Sequence, residues 1–205
     1  MNFPQEIKDA ASVILLRLDT NTPKILMGKR SENAIFMPNK YVFPGGALEP
    51  IDYETSFLSN NQVANFEKLS LQTETKLGGP LLNCALRELE EETGIQIRNG
   101  DFSNLSIAFI VRAITPPGMS RRFDTRFFLL KIHENFNSRL FNNFRNASDE
   151  LSDLRWISVD EALALDIPPI TRNVILFVKS NIDQGSTINR LPFYREGSFQ
   201  ELTFL

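Results

Sequence analysis

The hydrophobic positions along the chain predict strands in some segments and helices in others. Apolar and β-branched residues dominate 11–18 and 24–30, and Asn21-Thr22-Pro23 between these segments is typical of a turn. The two segments therefore predict a β-hairpin. Further strands are predicted at 41–46, 95–97 and 105–114, after 121–128 and near Trp156.

One segment shows the helical spacing most clearly. Its apolar residues lie at i, i+3, i+4 and i+7 and form a stripe that can pack on a sheet: Leu82, Ala85, Leu86 and Leu89. Gly94 follows at the point where a left-handed residue often closes a helix. We therefore predict a helix over 84–95, after a stop at Gly78-Gly79-Pro80. Two more helices are predicted at 159–165 and from 170 through Lys179.

The helix over 84–95 carries three acidic residues on a separate face. Glu88 and Glu92 lie at i and i+4, beside Glu91, and like charges at this spacing destabilise a helix by roughly 0.2–0.5 kcal/mol per pair. A hard cation would reverse the sign, because Mg²⁺ and Mn²⁺ prefer oxygen ligands. The acidic face therefore indicates a site for Mg²⁺ or Mn²⁺; the alternative is a solvated face on a surface helix.

Two separated motifs resemble the halves of the Nudix box. Residues 87–95, Arg-Glu-Leu-Glu-Glu-Glu-Thr-Gly-Ile, resemble its second half. Phe43-Pro44-Gly45-Gly46 followed by Asp52 resembles its first half, with aspartate in place of glutamate, and an insertion at about 53–80 separates the two. The split box and the run Arg-Phe-Asp-Thr at 122–125 are similar to the coenzyme A diphosphatase branch of the Nudix hydrolases.

The resemblance implies an α/β fold, an α/β/α sandwich with a mixed β-sheet, in which residues 1–205 form a single domain. It also implies that the cofactor is Mg²⁺ or Mn²⁺. One metal ligand would be the carbonyl of Gly46, with Gly45 as the alternative, because a glycine turn lets the backbone approach a ligand closely. The other ligands implied are the acids of the box: Glu88, Glu91 and Glu92.

The resemblance also implies which residues orient the acids and which residue accepts a proton from the attacking water. Arg87 would orient the acids by ion pairing, and Asp52 would support them. The general base would be Glu88, unless Glu88 is only a metal ligand, or Glu150, which lies shortly before a strand that contains tryptophan. Two neighbours of Glu150 are alternatives for its role: Asp149 and Asp153.

Several arginines are candidates for binding substrate phosphates. Arg122 and Arg126, close to Arg121, offer the bidentate donors that suit phosphate oxygens. We favour substrate contact for Arg122 and Arg126 over the alternative of a polar strand face opposite buried phenylalanines. Arg30, at the end of the second predicted strand, is equally consistent with a phosphate contact and with simple exposure.

Composition narrows the range of partners. The chain has 205 residues, 42% hydrophobic and 23% charged, which is enough for one sizeable core. Its net charge of −3 gives no electrostatic footprint for a nucleic-acid polymer, so the expected partner is small, and the resemblance implies that it is a diphosphate compound. The single cysteine suits a reducing compartment, and the apolar runs are too short to span a membrane, so we expect a cytoplasmic protein.

The expected function is metal-dependent hydrolysis of a diphosphate in coenzyme A or acyl-coenzyme A, which would release 3′,5′-ADP and a phosphopantetheine fragment. The enzyme alternative acts on ADP-ribose or another nucleoside diphosphate derivative. A third alternative is a Nudix-fold module that binds a nucleotide without cleaving it. The insertion at about 53–80 has three open roles: it covers the cleft, shapes the pocket, or forms a subunit contact in a homodimer.

Overall fold

The computed structural model describes residues 6–18, 21–54, 63–70, 77–97, 105–132, 143–182, 190–195 and 198–203. Its strands are Ile7–Arg17 (β1), Lys24–Arg30 (β2), Tyr41–Val42 (β3), Gly45–Ala47 (β4), Val63–Ala64 (β5), Leu105–Ile114 (β6), Arg122–Ile132 (β7), Leu151–Ser158 (β8), Arg190–Arg195 (β9) and Ser198–Thr203 (β10). Its α-helices are Pro50–Glu54 (α1), Gly78–Thr93 (α2), Val159–Ala164 (α3) and Pro169–Ser180 (α4), and Phe66–Ser70 forms a 3₁₀ helix.

The described strands form one mixed sheet. Its main path runs β10-β9-β6-β7-β1-β2-β3, while β4 pairs with β1, β5 with β6 and β8 with β2. The central pair β1–β7 is parallel along its whole length, whereas β1 and β2 are antiparallel. A mixed sheet with helices confirms the predicted α/β class, and the β1–β2 pair confirms the predicted hairpin.

Helix α2 packs its apolar stripe against the sheet, mainly against β1. The four residues of the predicted stripe are all buried: Leu82, Ala85, Leu86 and Leu89. Gly94 ends the helix with φ of 74°, and its N–H donates to the Glu90 carbonyl at 2.8 Å. The predicted stripe and the glycine at the helix end are therefore confirmed.

The predicted start of this helix is wrong. Gly78-Gly79-Pro80 does not precede the helix but forms its first turn. Proline is tolerated there because the first N–H groups of a helix have no partner within the helix. Turn-like composition therefore marked the N-terminal end of the helix, but as its first turn and not as a stop before it.

The predicted strand at 95–97 is also wrong. Ile95 and Ile97 are buried, but this segment follows α2 as irregular chain. The N–H of Ile95 donates to Oγ1 of Thr93 at 3.1 Å, so a side chain supplies the acceptor that a neighbouring strand would otherwise provide. Within the insertion, the described residues form β5 and the 3₁₀ helix; residues 55–62 and 71–76 lie outside the described part.

In the parts of the chain that the structure describes, no helix is both long and apolar enough to cross a membrane.

Candidate active site

The two glycines of β4 lie directly against the acidic face of α2. The N–H of Gly45 donates to Oε2 of Glu92 at 2.8 Å. A Cβ atom added to Gly46 would collide with the carboxylate of Glu88, so any larger residue at position 46 would displace that side chain. The glycine turn and two of the three box acids therefore form one closely packed unit.

Arg87 connects this unit to α1. Its Nε and Nη2 donate to the two carboxylate oxygens of Asp52 at 2.9 and 3.0 Å, a bidentate pair. Its Nη1 donates to Glu88 at 2.8 Å and to Glu91 at 3.1 Å. Asp52 is only 1% exposed and also accepts the N–H of Glu49 at 2.8 Å. Asp52 thus anchors Arg87, and Arg87 in turn holds two of the acids.

Burial changes the acidity of Glu88 and Glu92. Both carboxyl groups are buried, and the loss of water raises the pKa of Glu88 to about 7 and that of Glu92 to about 8. Arg87 opposes this rise at Glu88, and the Gly45 N–H opposes it at Glu92. The negative charge of Glu150 raises both pKa values further, which places Glu150 within electrostatic reach of the pair.

The loop that carries Glu150 is tied to α2. The N–H of Ser148 donates to the Glu91 carbonyl at 2.8 Å. Glu150 is exposed and lines the same cavity as Glu88 and Glu91. The two alternatives predicted for its role do not line this cavity: Asp149 and Asp153. Asp153 instead accepts a hydrogen bond from the Tyr41 hydroxyl. Of the three acids weighed for this position, the structure brings only Glu150 to the site.

Three of these acids, Glu88, Glu91 and Glu150, line a cavity of about 810 Å³. One end is formed by β4 and the acidic face of α2, and the sides by the 30–37 loop, one face of β7 and the start of α4. Much of the lining is apolar, and the rings of Phe36 and Phe123 meet edge to face with centroids 5.4 Å apart. Apolar walls with a few polar groups suit a small organic ligand with an anionic group.

The predicted substrate contacts of Arg122 and Arg126 are not supported by the structure. Side chains alternate between the two faces of a strand, and on β7 the residues that line the cavity are Phe123, Thr125 and Phe127. The intervening residues point to the opposite face. The prediction therefore assigned the wrong face of β7 to the cavity.

The contacts of both arginines fit this correction. Arg122 is half-buried, lies outside the cavity lining and donates its Nε to the Thr115 carbonyl at 2.9 Å. Arg126 is fully buried and forms ion pairs with Asp9 and Asp124. The arginine of this run that does line the cavity is Arg121, and Arg30 lines it from β2. If the face of β7 that lines the cavity had been known, the alternation of side chains along the strand would have identified Arg121 as a cavity residue.

The donor chemistry of the site suits a divalent cation. The residues that could hold one are Glu88 and Glu92, with the exposed Glu91 and the carbonyl of Gly46, which also accepts a weak hydrogen bond from the Cys84 thiol at 3.5 Å. Among the described residues, no three acidic, histidine or cysteine side chains converge as a ready-made metal site. Mg²⁺ commonly takes one or two carboxylates and completes its shell with water and substrate phosphate, so the pair fits that ion.

Comparison with known families places this site in context. A family model described as NUDIX domain matches residues 7–176. The chain belongs to the NUDIX family. The matched range includes both halves of the split box, so the sequence resemblance to the family is confirmed. The solved "Crystal structure of NUDIX hydrolase from Alicyclobacillus acidocaldarius" shares the fold, with a TM-score of 0.61 at 22% identity over 84% of this chain and 90% of that one.

Two curated relatives show the similarity of the chain to other members of the NUDIX family. The chain is 28% identical over 191 residues to "Putative nudix hydrolase 7" of Caenorhabditis elegans, which covers 77% of this chain and 55% of the relative. It is 29% identical over 98 residues to "Acyl-coenzyme A diphosphatase NUDT19" of Xenopus laevis, which covers 38% of this chain and 26% of that protein. The chain spans about half the length of the first of these relatives and a smaller share of the second.

We expect the metal-free NUDIX domain to lose stability as the pH rises from about 5 to about 8. Burial raises the pKa of Glu88 from 4.5 to about 7 and that of Glu92 from 4.5 to about 8. Between the ordinary and the raised values, the folded protein retains protons that the unfolded chain has released, so the free energy of unfolding falls with rising pH. Below the ordinary value both states are protonated, and this contribution is fully present.

Urea denaturation in the presence of a chelator, at several pH values in this range, measures the effect. Glu92→Gln removes one of the two titrating groups, so its free energy of unfolding should depend less on pH than that of the wild type. Identical pH profiles for the two proteins would contradict the assignment of a raised pKa to Glu92.

Proposed function

We propose that the protein is a metal-dependent hydrolase that cleaves a diphosphate linkage joined to an organic group, with Mg²⁺ or Mn²⁺ as its cofactor. The observation that carries this proposal is the packing of Glu88 and Glu92 against the Gly45–Gly46 turn at one end of the 810 Å³ cavity. Two buried carboxylates with raised pKa values are costly to ionise together without a cation. The same end of the cavity has room for the anionic part of a substrate.

The residues of the chain divide the chemistry between them. A divalent cation at these acids would neutralise phosphate charge and lower the pKa of the attacking water. Arg87 holds Glu88 and Glu91 in position, and its own position is set by Asp52. Arg30 lines the cavity and lies close enough to Glu92 to lower its pKa, so we expect its guanidinium to contact a phosphate bound beside these acids.

Two carboxylates are placed to accept the proton of the attacking water. Glu88 has a pKa of about 7, which suits a general base near neutral pH. Glu150 is exposed at the cavity and is the alternative base. Glu88 also packs on Gly46 and pairs with Arg87, so its substitution would disturb the packing of the site, whereas substitution of Glu150 would leave those contacts in place.

Coenzyme A or an acyl-coenzyme A is the substrate that we favour. The split box and the Arg-Phe-Asp-Thr run resemble the coenzyme A branch, and the partial similarity to an acyl-coenzyme A diphosphatase supports the same choice. The cavity also offers aromatic and aliphatic walls beyond the acids, which suit the adenine and pantetheine parts of such a molecule. ADP-ribose, which shares the adenosine diphosphate part, is the competing substrate.

Incubation of the protein with coenzyme A and with ADP-ribose, each with Mg²⁺ or Mn²⁺, tests this proposal when the products are resolved by mass. We expect coenzyme A to give 3′,5′-ADP and 4′-phosphopantetheine, and to be cleaved with the higher kcat/KM. Faster cleavage of ADP-ribose would replace the substrate assignment but keep the hydrolase. Binding of both compounds without cleavage would favour a binding module, although such a module has no need of three acids on one helical face.

A further inference from the structure

Three cations line the described part of the cavity: Arg30, Arg87 and Arg121. Arg87 is fully engaged by acids, and Arg30 donates its Nε to the Phe36 carbonyl at 3.0 Å. Arg121 is exposed, and it forms no hydrogen bond or ion pair with the described residues. A guanidinium that faces a ligand cavity with all its donors available is suited to bind an anionic group of that ligand.

Arg121 is separated from the carboxylates along the sheet. Ala11 of β1 lies opposite both Gly46 of β4 and Arg126 of β7, so these residues mark one level of the sheet. Arg121 precedes Arg126 by five positions, which corresponds to about 16 Å along the strand direction at about 3.3 Å per residue. The backbone of Arg121 is therefore too far from that level for its side chain to share the site of the acids.

The wall between the two levels is apolar and aromatic. Phe123 lies on the cavity face of β7 between Arg121 and the acids, and its ring meets that of Phe36. An adenosine could pack against such a wall, with its 5′ diphosphate directed toward Glu88 and Glu92. A second phosphate on the same ribose would then face the level of Arg121.

We propose that Arg121 binds a second anionic group of the substrate, the 3′-phosphate of a coenzyme A-type nucleotide, and so selects substrates that carry it. This inference rests on the proposed function, because it takes the diphosphate to lie at Glu88 and Glu92. It assigns the selectivity to Arg121 in place of Arg122 and Arg126, which the strand directs away from the cavity.

Calorimetric titration of the full chain with 3′,5′-ADP and with AMP, in Mg²⁺ at fixed ionic strength, measures this selectivity without any cleavage. The two ligands differ only in the 3′-phosphate. We expect the wild type to bind 3′,5′-ADP about 10- to 100-fold more tightly than AMP, the range of a charge-assisted hydrogen bond to a phosphate. Arg121→Gln should remove most of this ratio.

Arg122→Gln is the matched control, because it removes the same charge from the adjacent residue outside the cavity lining. It should keep the wild-type ratio, and the melting temperatures of both variants should show that they fold. A ratio that Arg121→Gln leaves unchanged, an equal loss in Arg122→Gln, or a wild type without preference for 3′,5′-ADP would each overturn the proposal.

The outcome is separable from that of the proposed function. A ratio that depends on Arg121 in a protein that does not cleave coenzyme A would support the phosphate site and overturn the proposed reaction. Cleavage of coenzyme A with a ratio independent of Arg121 would support the reaction and overturn this inference.

Discussion

Replacing Glu92 with glutamine is expected to lower the rate of diphosphate hydrolysis by about 100-fold or more, the usual size of an effect when a group that stabilises transition-state charge is removed. Glu92 is 2% exposed, and its Oε2 accepts the Gly45 N–H. A glutamine carbonyl oxygen can accept the same hydrogen bond, so the packing of the turn should persist. What the variant loses is the negative charge beside Glu88, where the cation is proposed to bind.

Glu90→Gln provides the matched control for this variant. Glu90 lies on the same helix, two positions before Glu92 and therefore on a different face, and it accepts a hydrogen bond from Gln96 instead of Gly45. Steady-state rates at saturating Mg²⁺ should fall for Glu92→Gln and stay near the wild-type value for Glu90→Gln. Comparable turnover in Glu92→Gln and the wild type would remove Glu92 from the proposed metal ligands.

Replacing Asp52 with alanine is expected to destabilise the protein by about 3–5 kcal/mol, the cost of breaking a buried ion pair by removing one partner. Asp52 is 1% exposed, and both of its oxygens receive hydrogen bonds from Arg87, whose side chain is 13% exposed. The truncation would leave Arg87 with only Glu88 and Glu91 as acidic partners. It would also remove the acceptor of the Glu49 N–H.

Chemical denaturation of Asp52→Ala and Asp166→Ala compares a buried ion pair with an exposed one. Asp166 pairs with Lys40, and both side chains are well exposed, at 68% and 38%, so its loss should cost no more than about 1 kcal/mol. Equal effects in the two variants would show that the Arg87–Asp52 pair contributes no more than a surface salt bridge. Hydrolysis should also slow in Asp52→Ala, because Arg87 would no longer hold the acids in place.

The helix that carries the three acids could be predicted from the sequence because its signals are local. The apolar stripe of α2 repeats at the period of an α-helix, and Gly94 supplies the left-handed residue that ends it. The acids follow the same geometry, since residues four positions apart share a helical face. For these features, spacing along the chain is enough to determine which side chains lie together.

Other features depended on partners that are distant in sequence. Asp52 and Arg87 lie 35 positions apart, on opposite sides of the insertion, and only the packing of α1 beside α2 joins them. The buried segment around Ile95 resembled a strand, yet no described strand pairs with it, and Thr93 satisfies its N–H. Apolar character indicated burial in this segment, but it could not indicate which partner would satisfy the backbone.

The direction of the arginines shows most clearly what only the tertiary structure decided. A strand with one solvated face reveals its phase through alternating polar and apolar residues. β7 lies in the middle of the sheet, between β1 and β6, and both Arg126 and its neighbour Phe127 are buried, so alternation in polarity is lost along it. The sequence by itself determined the family, the acidic helix and the glycine turn. The phase of a strand that is buried on both faces is set by its neighbours. Pairing with β1 therefore determined that Arg121, and not Arg122 or Arg126, faces the cavity.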